Sequence, residues 1–250
     1  MIFATDLDNT MIFSHRLIGG AESEVHCVEF HQGRPITYMT NTAIEKLKLL
    51  QQRLSIIPAT TRSITQFNRV EFWSTMPYAI VDNGGSILHY GKPIPQWKEY
   101  MQKVLVSYDL QSVFNLFCHL PNLVSGPKIV DDTFVFARSN EIETCKKILF
   151  KKLNTKIWQI SFQGTKIYAI PKEITKGIAL RYLCESILPC SLPVIATGDS
   201  NLDISMLEYA TYGIIPCDCS LCSLSDRNWT KVGFSIYAAD AILSVVSSLV

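Results

Sequence analysis

Short apolar runs alternate with longer segments whose apolar positions recur every three or four residues. Ile2–Thr5 is an apolar run stopped by Asp6 and reads as a buried strand. Val25–Phe30 and Ile36–Met39 flank His31-Gln32-Gly33-Arg34-Pro35 and predict a β-hairpin. Asn41-Thr42 is placed to cap a helix whose apolar positions are Ile44, Leu47, Leu50 and Leu54. A strand over Ser55–Ala59, a helix over Ile64–Trp73 and a strand over Tyr78–Val81 follow, the last closing on Asp82-Asn83-Gly84-Gly85. Alternation at this spacing predicts a parallel, doubly wound sheet.

The rhythm changes between about Ser86 and Pro171. Helices are expected near Trp97–Tyr108, Ser112–His119 and Ile142–Leu153. Between and after them come the strand pairs Ile129–Val130 with Phe134–Ala137, and Ile157–Phe162 with Lys166–Ile170. From Lys172 the first rhythm resumes: helix Lys176–Ser186, strand Pro193–Thr197, helix Leu202–Tyr209, strand Gly213–Pro216 and a helix from Ala238. The expected architecture is therefore α/β, a doubly wound (Rossmann-like), mostly parallel core carrying an inserted α+β cap. Its divisions are 1–85 (core), 86–171 (cap) and 172–250 (core).

Composition narrows the function classes. With 23 basic and 22 acidic residues, the chain has a formal charge of +1 and no basic stripe of the kind nucleic acid requires. The most apolar stretches are interrupted by polar residues, so no membrane span is expected. Met1–Thr5 runs into Asp6 without a basic leader, so no signal peptide and a cytoplasmic location are expected. Cys27, Cys118, Cys145, Cys184 and Cys190 sit mostly among apolar neighbours, whereas Cys217, Cys219 and Cys222 cluster without a nearby His or fourth Cys to complete a tetrahedral metal set.

Candidate chemistry gathers at strand ends, where open α/β sheets bind ligands. Asp6-Leu7-Asp8-Asn9-Thr10 carries two carboxylates off the end of the first strand, suited to a nucleophile and a general acid–base. A strand-terminal turn rich in Asp and Asn would look the same. Gly198-Asp199-Ser200-Asn201-Leu202-Asp203 repeats the theme and suits Mg²⁺, though Asp199 or Ser200 alone would also serve as a helix cap. Thr60 ends the second strand with Arg62 expected on the next helical turn, and Lys176 opens the helix that restarts the α/β pattern.

Together these residues resemble the four motifs of the haloacid dehalogenase superfamily of phosphohydrolases, and the insert is similar to the cap of its Cof-type, sucrose-phosphatase-like branch. The resemblance implies Asp6 as nucleophile and Asp8 as general acid–base. It implies a Mg²⁺ site built from the Asp6 carboxylate, the Asp8 carbonyl and Asp199, with Asp203 ligating or orienting a water. Thr60 and Lys176 would bind the transferring phosphoryl group, and Thr10, Arg62, Asn83 and Asn201 extend the phosphate-binding set. The branch usually has glycine where Thr61 stands and asparagine where Leu202 stands, which leaves Asn201 one position early. The implied substrate is a small phosphorylated metabolite, with a sugar phosphate first in line, for a monomer or homodimer. A phosphomutase and a non-catalytic binding module are the competing expectations. His31 and Arg34, at the hairpin tip, are expected to reach the mouth of the site.

Overall fold

The structure, a computed structural model, describes residues 1–188, 192–224 and 226–250; Cys190 lies outside them. Strand β1 (Ile2–Thr5) is wholly buried and leads through the short β2 (Phe13–Ser14) into the hairpin β3 (Val25–His31) and β4 (Arg34–Thr40). The hairpin turns on Gln32 and Gly33, whose φ angles of 51° and 72° match a primed two-residue turn. Helix α1 (Asn41–Leu50) is capped by Thr40, whose hydroxyl accepts from the Ala43 amide at 3.1 Å, one residue earlier than the expected Asn41-Thr42 cap. A cap of this kind contributes about 1 kcal/mol.

Strand β5 (Ser55–Pro58) follows, then a helix much shorter than its pattern predicts, α2 (Ile64–Phe67). Instead of continuing to Trp73, the chain is drawn onto the hairpin: Val70 bridges Glu29, and the Glu71 amide donates to the Val28 carbonyl at 2.7 Å. Tertiary pairing has overridden helical periodicity here. Strands β6 (Tyr78–Val81), β7 (Ser86–His89) and β8 (Lys92–Pro93) form a small antiparallel sheet, tied to the main sheet by a parallel bridge from Ala59 to Ile80. Helix α3 (Pro95–Leu105) buries Trp97 and Met101 in the same apolar cluster as Ile2 and Ala4 of β1.

Helix α4 (Leu110–Cys118), β9 (Leu123–Val130), β10 (Phe134–Ser139), α5 (Ile142–Lys152), β11 (Trp158–Gln163) and β12 (Lys166–Pro171) build a second layer. Its antiparallel sheet runs β11-β12-β10-β9, and Val113, Phe117, Cys145, Leu149 and Ile167 fill its own core. Strand β9 starts at Leu123, well before the expected Ile129, because its irregular register against β10 accommodates Gly126 and Pro127.

Helix α6 (Lys176–Tyr182), β13 (Val194–Thr197), α7 (Ile204–Tyr209), β14 (Tyr212–Pro216), β15 (Thr230–Val232) and α8 (Ala238–Leu249) complete the chain. The main sheet is parallel, in the order β15-β14-β13-β1-β5. Helices α1 and α8 pack on one face and α6 and α7 on the other, in two apolar clusters. The expected α/β class, a Rossmann-like sheet carrying an α+β layer, is borne out. Among the described residues, no helix is long and apolar enough to cross a membrane.

Candidate active site

Strands β1 and β13 lie side by side in register, with Thr5 opposite Thr197, so Asp6 and Asp199 leave the same edge of the sheet. Beyond β1 the chain folds back sharply, the Leu7 carbonyl accepting the amides of Thr10, Met11 and Ile12. Leu7 points into the core, fully buried, which sends Asp6 and Asp8 to the opposite side. The Thr10 hydroxyl donates to Asp6 Oδ2 at 3.3 Å.

Lys176, at the start of α6, is the centre of the cluster. Its ammonium, 1% exposed, donates to Asp6 Oδ1 and to Asp203 Oδ1, each at 2.5 Å. Asp203 is not inside a helical turn, as its spacing predicts, but sits just before α7, where its side chain makes no bond to the first turn. Its second oxygen accepts from the Ser200 amide at 3.0 Å and the Ser200 hydroxyl at 2.8 Å. Asp203 thus locks the Asp199–Asp203 loop and Lys176 together. Glycine at 177 makes this possible, since a Cβ there would collide with the Ser205 carbonyl where α6 passes α7.

Asp6, Asp199 and Asp203 each offer an oxygen, all within 4.8 Å of one another, and among the described residues they form the one such group of acidic, His or Cys side chains. Three carboxylates face one ammonium. Burial, against the pull of Lys176 and aided by Asp203 and Asp8, lifts Asp6 to about 7. Burial, then Asp6 and Asp203, pushes Asp199 well above the usual carboxylate range. An excess of hard oxygen donors with unrelieved repulsion is chemistry that fits a divalent cation of the Mg²⁺ type. The Asp8 carboxylate does not join this group. Both of its oxygens are taken by Arg62, Nε to Oδ2 at 2.8 Å and Nη2 to Oδ1 at 2.9 Å. Burial opposes ionisation of Asp8, but Arg62, with Lys166 and Lys176, outweighs it and holds the carboxyl at about 2.

The remaining expected residues spread more widely. Thr60 is fully buried, its hydroxyl accepting from the Arg62 amide at 3.2 Å. Arg62 precedes α2 rather than riding on its next turn. Asn83 is buried with φ 59°, and its amide donates to the Ile174 carbonyl at 3.0 Å, clasping the end of β6 to the loop before α6. Asn201 is exposed on the turn, while Leu202 is buried in the apolar cluster beneath, which accounts for a hydrocarbon at that position. Cys219 and Cys222 lie with sulfurs 3.9 Å apart, and Cys217 is exposed.

Sequence reasoning missed two contributors. Glu29, buried in β3, grips Arg62 from behind at 2.9 Å. Lys166, on β12 of the second layer, sits beside Tyr168 and close enough to Asp8 and Asp6 for their charges to bear on it. His31 and Arg34 are exposed at the hairpin tip, so what the hairpin brings to the site is the body of β3. Surface hollows of about 470 Å³ beside Thr40 and Asp240, and about 310 Å³ beside Gln51 and Tyr78, include no residue of the acidic cluster.

A family model for haloacid dehalogenase-like hydrolases matches residues 125–215, a span that holds Lys176, Asp199 and Asp203. Among solved structures, the sucrose-phosphatase of Synechocystis sp. PCC6803 superposes with a TM-score of 0.64 at 17% identity, over 99% of this chain and 97% of that one. The protein SMU.1108c of Streptococcus mutans UA159 gives 0.63 at 16% identity, over 99% and 98%. The subclass IIB sugar phosphatase BT4131 gives 0.59 at 16%, again over 99% and 98%. Comparison with curated proteins gives no match. The haloacid dehalogenase-like resemblance, with the fold of the sucrose-phosphatase-like branch, is borne out.

Proposed function

We propose that this protein is a Mg²⁺-dependent phosphomonoester hydrolase acting on a small phosphorylated metabolite, a sugar phosphate by preference. The observation that carries this reading is the buried Lys176 ammonium bridging Asp6 and Asp203 at the sheet edge, with Asp199 alongside. The hydrolase class of the matching family and the phosphatases among the structural neighbours support it.

In this mechanism Asp8, ionised beside Arg62 at rest, first takes up the proton of the phosphomonoester monoanion; an Asp6 oxygen then attacks phosphorus while the ester oxygen leaves with that proton. Water, deprotonated by Asp8, then attacks the aspartyl phosphate, releasing inorganic phosphate and restoring Asp6. Lys176 fixes one Asp6 oxygen and adds positive charge beside the phosphoryl group, and Thr60 borders the same space. Asp6, Asp199 and the Asp8 carbonyl, with Asp203 alongside, would hold Mg²⁺, which would supply charge against the phosphoryl oxygens and favour ionised Asp6. Phosphoryl transfer depends chiefly on this positioning and charge neutralisation. Residues 86–171 act as the cap, with Lys166 and Tyr168 on the leaving-group side and the layer excluding water.

The test is hydrolysis of p-nitrophenyl phosphate and of a sugar-phosphate panel, with Mg²⁺ and with EDTA. Phosphate release should require Mg²⁺ and disappear in Asp6→Asn. An isomerised sugar phosphate without free phosphate would indicate a mutase, and no turnover of any panel member would overturn the enzymatic reading.

A further inference from the structure

Glu29 has no place in any of the four motifs, yet the hairpin is deformed to bury it. Along β3 the side chains should alternate between solvent and interior, but Val28 and Glu29 are both buried. The register against β4 slips on either side of Glu29, the mark of a bulge, and bulges re-aim side chains beside functional sites. The carboxylate so turned is 1% exposed. Its Oε2 accepts from Arg62 Nη1 at 2.9 Å and from the Thr37 hydroxyl at 3.2 Å. Its Oε1 accepts from Arg69 Nη2 at 3.0 Å and Nε at 3.2 Å.

Arg62 is thereby held along two edges. One edge presents two parallel hydrogen bonds to Asp8, and the remaining nitrogen is pinned by Glu29. A planar guanidinium fixed in this way has one orientation, so the Asp8 carboxyl has one as well. Asp8, Arg62, Glu29 and Arg69 form a chain of alternating charge, two negative and two positive, which offsets the cost of burying Glu29. Arg69 is the outer anchor, its side chain 28% exposed.

We infer that Glu29 is a positioning residue, which acts through Arg62 to aim the Asp8 carboxyl at the leaving oxygen. This rests on the reading of Asp8 as the general acid. A group that serves only proton delivery matters in proportion to how much the leaving group needs a proton. Phenyl phosphate releases a strongly basic phenolate, whereas p-nitrophenyl phosphate releases a weakly basic one. The quantity to compare is kcat/KM, which extends only to departure of the leaving group and so excludes the later hydrolysis of the aspartyl phosphate.

In Glu29→Gln, kcat/KM for phenyl phosphate should fall about tenfold or more, since small misplacements of a reacting group are that costly, while p-nitrophenyl phosphate changes less than about twofold. Arg69→Leu loosens Glu29 from the partly exposed side and should show the same selectivity at about threefold, which keeps the inference testable if Glu29→Gln folds poorly. A purely structural role would lower both substrates together. Equal losses, or none, in both variants would overturn the inference. Asp8→Asn measured in parallel separates the two failures: if it lacks the selective loss, the general-acid reading is wrong, and if it alone shows that loss, the role of Glu29 is wrong.

Discussion

Lys176 carries its charge into a place where water does not follow. It is 1% exposed, and its partners Asp6 and Asp203 are 8% and 0% exposed at their side chains. Removing one member of a buried ion pair strands the other, at about 3–5 kcal/mol. Lys176→Met should therefore lose about that much stability to urea at pH 7, and all turnover with it. The stranded Asp6 carboxylate would have a folded-state pKa raised above the unfolded value, so the loss should shrink as pH falls and be smallest below about 4. A wild-type urea midpoint at pH 7 would show that the ammonium carries no such burden. Lys176, Asp6, Asp8, Asp199 and Asp203 were legible because each lies at a strand end or helix start that the hydrophobic pattern itself locates. Glu29 was not: its inward aim depends on a bulge, and only its position four residues after Val25, in a strand of mixed polarity, hints at it.

The crossing of α6 and α7 depends on a single missing methyl. Replacing a helical glycine by alanine ordinarily stabilises by about 0.5–1 kcal/mol. At Gly177 the added Cβ meets the carbonyl and side chain of Ser205, backbone that cannot rotate away. Gly177→Ala should reverse the usual sign, costing about 1–3 kcal/mol in urea unfolding and separating Lys176 from Asp203 enough to depress turnover. A stabilised variant would mean that the helices slide freely. Elements with unbroken local patterns, β1, α1, β6, α5 and α8, could be read from the sequence within a few residues. Those settled by distant partners could not: α2 stops early because Val70 is captured by Glu29. The edge strand β15 carries too little apolar signal in Thr230–Val232 to stand out before β14 supplies its ladder.

How the two layers meet is set by groups that no local pattern reveals. Asp82, at the end of β6, is fully buried, and neither of its oxygens receives a donor. Opposite it stands Asp131, from the β9–β10 turn of the second layer, whose Oδ2 accepts from the Ile64 amide at 2.8 Å. Burial, then the charge of Asp131, raises Asp82 to about 9, so near neutral pH it keeps its proton. The sign follows from linkage. In the unfolded chain this carboxyl ionises near 3.8, whereas in the folded protein it keeps its proton until about pH 9. Its contribution is present in full below about pH 4 and is lost as pH rises toward 9. Asp82→Asn puts an amide donor where the acid proton was, tolerates the φ of 53° at this position better, and needs no proton. At pH 8 the variant should be more stable than the wild type by about 2 kcal/mol or more, since each tenfold change in acidity is worth about 1.4 kcal/mol. The advantage should close by pH 4, and urea unfolding at the two pH values reads it directly. A variant with the same relative stability at both would mean that Asp82 is ionised in the folded protein. The seam would then need a counter-charge that neither Asp131 nor the Ile64 amide supplies.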